Sequence, residues 1–341
     1  MILAGDIGGT NTRLALAAPD PAGRLRLADE KVYPSREHAG LGEIVDLFRR
    51  DHPAPLEAAS FGIAGPVRDG RSATTNLPWV VESRDLAARL GLATAGLLND
   101  LEANAWGLPA LAPEDFLVLQ AGTPGARGNS AIIAAGTGLG EAGLYWDGRR
   151  HHPFATEGGH ADFAPLDETQ DGLLHWLRER HGTVSWERVV SGPGLVAIYT
   201  YLRDVKRMKE NPDVAEEMRT GDAPAAISRA TLARRSDLAA AALDLFVAAY
   251  GAEAGNLALK TMATGGLYLG GGIAPRIAPL LATGRFVQAF TDKGRMRPLL
   301  ESMPVKVVLN DKTALLGAAR HATERHATER GSATTGGSEC P

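Results

Sequence analysis

The chain has 341 residues, 44% of them hydrophobic and 22% charged, with a formal net charge of −4 and a pI near 6.2. That is an ordinary globular composition, long enough for two domains, and it gives no electrostatic case for nucleic acid or an anionic membrane as partner. The single cysteine, Cys340, supports neither a disulfide framework nor a thiolate zinc site. No signal peptide and no uncharged bilayer-length stretch is legible, so a soluble cytoplasmic protein is expected.

The apolar runs Ile2-Leu3-Ala4 and Leu14-Ala15-Leu16-Ala17 flank Gly5-Asp6-Ile7-Gly8-Gly9-Thr10-Asn11-Thr12-Arg13 and predict two strands joined by a tight turn. Paired glycines let backbone N–H groups approach phosphate oxygens, and Asp6 has the charge to hold a hard cation. Taken alone, the stretch reads equally well as a plain hairpin. A strand near Lys31–Tyr33, a helix over Leu41–Asp51 and a strand Ala58–Ala64 stopped by Gly65-Pro66 follow. After the loop Thr75–Trp79, Ser83 is the expected N-cap of a helix ending near Leu90-Gly91. Ala95–Leu98 then leads as a strand into Asn99-Asp100, where open α/β sheets place ligand groups and where helices place their caps.

Ala131–Ala135, Gly136-Thr137-Gly138-Leu139-Gly140 and Glu141–Trp146 repeat the strand–glycine–strand pattern. Leu267–Leu269 runs into Gly270-Gly271-Gly272-Ile273-Ala274-Pro275, this time before a helix, a setting suited to an anion. Three such loops in one chain point to a nucleotide held between lobes. Glu157-Gly158-Gly159-His160 offers a carboxylate and an imidazole for polyol hydroxyls, or a solvated surface turn. Gly192, Gly194 and Ala197 match the dinucleotide fingerprint only formally, because Pro193 occupies the turn and no acidic strand end follows at the right distance. Residues 204–224 read as a solvated loop or short surface helices, Ser236 as the cap of an Ala-rich helix to about Ala263, Val305–Leu309 as a strand and Ala314–Arg325 as a last helix. The tandem His321–Arg325 and His326–Arg330 reads as a duplication without function. No Walker A lysine, kinase catalytic loop or nucleophile elbow is present, so any ATP would be held by glycine hairpins.

In their order, Gly5–Asn11, Asn99-Asp100, Gly136–Gly140, Glu157–His160, Ser185–Leu195 and Leu267–Pro275 resemble the bacterial ATP-dependent glucokinase family of the hexokinase and actin-like ATPase superfamily, over roughly residues 2–320. The resemblance implies an α/β, two-lobed actin-like ATPase (ribonuclease H-like) fold, with mixed sheets flanked by helices and an active-site cleft between the lobes. The small lobe would be 1–110 completed by a C-terminal helix 312–325, the large lobe 111–311, and 331–341 a flexible tail. It implies phosphorylation of the glucose 6-hydroxyl by ATP with Mg²⁺, in a homodimer without nucleic-acid or membrane partners. Asp100 resembles the general base, and Asn99, Asp100, Glu157, His160 and Glu187 the sugar-binding positions. Asp6, Gly8, Gly9, Thr10, Asn11, Gly136, Thr137 and Gly138 are similar to the phosphate loops, Gly270, Gly271 and Gly272 to the adenosine loop, and Asp6 to the residue positioning Mg²⁺ through water. Absence of a Cys-rich motif near His160 argues against the related repressor, open-reading-frame and kinase (ROK) group. A kinase for another hexose, a polyphosphate-using enzyme and a sugar-responsive regulator are the alternatives.

Overall fold

The structure, a computed structural model, describes residues 1–21, 23–74 and 77–335, with side chains through 329. The expectations for Thr75-Asn76, for Cys340 and for the end of the tail lie outside the described residues. The chain forms two compact units, Met1–Pro113 with the segment from Asn310 onward, and Glu114–Leu309.

In the first unit, β1 (Ile2–Ile7), β2 (Asn11–Pro19), β3 (Leu25–Pro34), β4 (Ala58–Ile63) and β7 (Gly96–Asn99) form one mixed sheet ordered β3-β2-β1-β4-β7. A small hairpin of β5 (Arg71–Ala73) and β6 (Val80–Glu82) stands apart from it. Successive side chains of a strand point to opposite faces, and the two faces of this sheet differ in size. Leu3, Ile7, Leu14 and Leu16 meet Ile44, Val45 and Phe48 of α1 (Leu41–Asp51), together with Leu86 of α2 (Ser83–Leu90). Ile2, Ala4, Ala15, Ala17 and Ala58 meet Leu315, Ala318, Ala319 and Ala322 of the C-terminal helix Thr313–Thr335. Small residues also bring that helix against α3 (Asp100–Gly107): a Cβ on Gly317 would lie 1.7 Å from the Ala103 carbonyl oxygen. The helix expected to end at Arg325 runs to Thr335, since the tandem repeat keeps a helical register with apolar Ala322 buried. His321 faces inward too, bonded to Ser60 Oγ at 2.9 Å and edge-on to Trp106. Ser83 is the first helical residue rather than the cap; extended Glu82 precedes it, with no side-chain capping bond.

The second unit holds a six-stranded sheet, ordered β11-β10-β9-β12-β13-β8, of β8 (Phe116–Gln120), β9 (Ser130–Ala135), β10 (Leu139–Trp146), β11 (His151–Thr156), β12 (Gly266–Gly270) and β13 (Val305–Val308). Its main helices are α4 (Glu168–His181), α5 (Gly192–Asp204), α6 (Pro212–Thr220), α7 (Ala223–Leu232) and α8 (Asp237–Thr261). Ser236 Oγ accepts from the Ala239 amide and caps α8 as expected. This helix of 25 residues is mostly apolar but carries Asp244, Glu253 and Lys260, and by length and composition it is the one candidate among the described residues to cross a membrane. It is 83% buried over its most apolar window, so its faces are consumed by packing against neighbouring elements.

Candidate active site

Parallel strands deliver the expected residues of each unit to one sheet edge. In the first unit β1, β4 and β7 run parallel, with Asp6 opposite Gly62 and Ile63 opposite Asn99. The turn after β1 closes through Gly8 N–H to Asn11 O at 2.9 Å. Ser35, which the sequence did not single out, ties it down: its Oγ donates to Gly8 O at 2.8 Å and its N–H to Thr10 O at 2.8 Å. At the end of β7, Asn99 caps α3, accepting from the Leu101 and Glu102 amides and donating to Gly65 O at 3.1 Å. The Gly65-Pro66 turn is thereby joined to the Asn-Asp pair. Asp100 opens α3, and its Oδ1 accepts from the Leu101 amide at 2.9 Å. A Cβ on Gly62 would lie 2.7 Å from Ala103 Cβ and 4.0 Å from Asp100 Cα, so glycine lets α3 sit close on β4.

Asp6 stands in β1 opposite Arg13 of β2. Burial pushes its carboxyl above the ordinary value, against the opposing pull of Arg13, and Asp311 pushes it further up. Arg13 itself donates to Asp311 Oδ2 at 2.9 Å and to its carbonyl at 3.3 Å. Asp311 was missed because it lies 298 residues from Arg13, and the only local signal is the polar break Asn310-Asp311-Lys312 after an apolar strand.

In the second unit β9 and β12 are parallel neighbours, so Gly136–Gly138 and Gly270–Gly272 leave the same edge. Ligands of open α/β sheets bind at such carboxyl ends. Gly136 N–H donates to Gly138 O at 2.8 Å, closing the first loop, and Gly136 O accepts from Gly192 N–H at 2.8 Å. Gly271 has φ +78°, and a Cβ there would lie 2.5 Å from Ala135 O. Gly194 serves close packing, with Val189 O only 2.3 Å from an added Cβ, and a 3₁₀ turn rather than a strand precedes α5, so the formal fingerprint is none.

Glu157 precedes the 3₁₀ turn Gly158–His160 and His160 is its last residue, and Glu187 lies in the 3₁₀ turn Trp186–Arg188. The chain between them is stitched together: Trp186 N–H donates to Ala161 O and Phe163 N–H to Val184 O, both at 2.9 Å. Glu157 and His160 are exposed and Glu187 is half-buried. Glu187 Oε2 accepts from the Leu139 amide at 2.9 Å, at the foot of the glycine loop. The second unit therefore joins hydroxyl-binding chemistry to a backbone loop able to wrap phosphate.

A glucokinase family model matches residues 3–325. Over 334 residues, 94% of this chain and 98% of the relative, the chain is 44% identical to a glucokinase of Nostoc punctiforme. Over 342 residues, 93% of this chain and 96% of the relative, it is 43% identical to a glucokinase of Synechocystis. A crystal structure of a glucokinase from an Antarctic psychrotroph is similar at a TM-score of 0.83 and 31% identity, covering 95% of this chain and 98% of that one. A ROK family glucokinase of Streptomyces griseus in complex with glucose and AMPPNP shares the fold, at a TM-score of 0.64 and 23% identity over 95% of this chain and 99% of that one.

Proposed function

This chain belongs to the glucokinase family, and from that premise we propose how its own residues divide the work. It has the actin-like ATPase fold of these sugar kinases and is an enzyme that phosphorylates glucose with ATP, giving glucose 6-phosphate and ADP.

Phosphoryl transfer asks the protein mostly to position groups and stabilise charge. Asp100 takes the proton from the 6-hydroxyl as that oxygen attacks the γ-phosphoryl group. A base so placed is worth about 10²–10⁴-fold in rate. The observation that carries this role is its place as the first residue of α3, at the carboxyl end of a parallel strand and next to the Gly65 turn. Glu157, His160 and Glu187 hold the sugar hydroxyls, with Asn99 fixing the backbone of the base as well as facing the sugar. A misplaced hydroxyl would leave these polar groups unpaired, which discriminates between epimers. Gly8, Gly9, Thr10 and Asn11, with Gly136, Thr137 and Gly138, cradle phosphates; Gly270, Gly271 and Gly272 receive the adenosine.

Mg²⁺ fits this donor set at Asp6: a desolvated carboxyl gains most from a hard cation, and the nearby guanidinium of Arg13 is already engaged by Asp311. Bound with ATP, the ion would neutralise phosphate charge. A soluble cytoplasmic homodimer completes the reading, and gel filtration tests the dimer. The decisive assay is hexose phosphate formation across a panel of hexoses, with ATP and with polyphosphate as donors. Glucose 6-phosphate formed from glucose and ATP, with matching ADP, is expected; product only with polyphosphate or another hexose would move the assignment, and none with any sugar would point to a regulator.

A further inference from the structure

Beneath the Glu157–His160 turn lies an acidic residue that the reaction does not use. Glu141, in β10, is only 2% exposed, and Glu253, in α8, is fully buried. Two carboxyls in such a place need a reason, because burial of unpaired charge is costly.

Glu141 holds the turn at two levels. Its backbone pairs with Thr156, whose Oγ1 donates to Glu141 O at 3.1 Å and accepts from Gly158 N–H at 3.3 Å. Its carboxyl fills the space under Gly158, where an added Cβ would lie 2.0 Å from Glu141 Oε2. The other oxygen, Oε1, is buried without a hydrogen-bond partner among the described residues, and so is Glu253 Oε1. Glu253 stands close enough to raise the Glu141 carboxyl electrostatically. One proton shared between the two carboxyls would satisfy both orphaned oxygens. Behind them Glu253 Oε2 accepts from Asn256 at 2.8 Å, and Asn256 Oδ1 from Lys293 at 2.7 Å. Lys260 stands 3.6 Å from Glu253 and balances the single negative charge.

We propose that the Glu141 carboxyl, sharing one proton with Glu253, is a positioning residue for sugar phosphorylation: it braces Gly158 from beneath and fixes the turn that presents Glu157 and His160. The proposal rests on the reading of Glu157 and His160 as sugar-binding groups. It makes sugar affinity depend on the proton. Desolvation and the neighbouring Glu253 push Glu141 up to about 8. Above that pH both carboxyls carry charge under the turn, faced by Lys260 and Tyr250 of α8 and, through Asn256, by Lys293 and its neighbour Asp292.

Steady-state kinetics of the full chain from pH 6.5 to 9.5 test this, with glucose and ATP varied separately. Glu141→Ala is expected to raise the glucose KM about tenfold at pH 7 and to leave the ATP KM within twofold. In the wild type the glucose KM climbs above pH 8; in Glu141→Gln, which keeps the shape and a donor toward Glu253 without an ionisable proton, that climb is absent. Parallel pH profiles for wild type and Glu141→Gln would overturn the proposal, and this comparison stands even where Glu141→Ala fails to fold. Glu157→Ala and His160→Ala run alongside. If they raise the glucose KM and Glu141→Ala does not, the brace is wrong and the sugar site stands. If they leave it unmoved, the sugar site itself is wrong and the brace falls with it.

Discussion

The carboxylate of Glu187 accepts a hydrogen bond from the backbone amide of Leu139 at 2.9 Å, and a Cβ on Gly138 would come within 2.4 Å of the same oxygen. A side chain assigned to the sugar is thus built into the end of a phosphate loop. Glu187→Ala leaves the Leu139 amide without its partner and the loop without its brace. The expected outcome is a fall in kcat/KM of about 10²-fold or more, with both the glucose and the ATP KM raised. Glu157→Ala, whose side chain is exposed, is expected to raise the glucose KM alone. Equal effects of the two variants on ATP would break the distinction.

Asp100→Ala is expected to abolish phosphorylation while glucose still binds, as read by calorimetry or intrinsic fluorescence. Turnover near the wild-type rate would remove Asp100 as the base.

Asn99→Ala removes the cap of α3 and the bond to Gly65 O. A lost cap costs about 1 kcal/mol, so the melting temperature should fall by several degrees, and Asn99→Asp, which keeps the capping acceptor, should recover most of it. An unchanged melting temperature for the alanine variant would mean that α3 is held by its packing alone.

The two glycines that follow β12, Gly271 and Gly272, make opposite predictions. Gly271→Ala forces φ +78° on a side chain whose Cβ would lie 2.5 Å from Ala135 O, whereas Gly272 has nothing within 4 Å. Strain of this kind costs about 1–3 kcal/mol. Gly271→Ala should therefore lower stability and raise the ATP KM, and Gly272→Ala should fold with wild-type stability. Matched thermal melts and ATP titrations separate them.

Stability should fall as pH rises through the window set by Glu141. Its folded value of about 8 lies above the ordinary 4.5, so between those values the native state keeps a proton that the unfolded chain has lost. Unfolding free energy then declines by about 1.4 kcal/mol per pH unit from this group, and levels off above its folded value. Glu141→Gln should flatten that slope and melt higher than the wild type at pH 8. A variant melting lower at pH 8 than at pH 5 by the wild-type margin would contradict this origin.

What the sequence revealed follows from where physical constraints are local. Gly8-Gly9 and Gly136–Gly138 interrupt apolar runs, so both hairpins are legible, as is α8, capped by Ser236 and rich in alanine at helical spacing. α4 was not, because charged residues surround its buried Leu173 and Leu177 and blur the helical period. β11 was not, because an edge strand carrying Pro153 and exposed Phe154 has no alternation to read. Glu141 looked like one more strand residue; only the fold puts it under Gly158. The partnership of Arg13 with Asp311 has no local signature at all.

The first unit is assembled from both ends of the chain: the alanine-rich face of β1 and β2 is covered by Leu315, Ala318, Ala319 and Ala322. On the ribosome this makes order of synthesis matter. The strands made first must wait, one face bare, while the intervening continuous stretch from Glu114 to Leu309 emerges and folds by itself. Domains fold as units, and exposed apolar surface invites aggregation in the meantime. The small alanine side chains of that waiting face present less grease than leucines would, and a nascent chain stalled before Thr313 should be the form that chaperones hold.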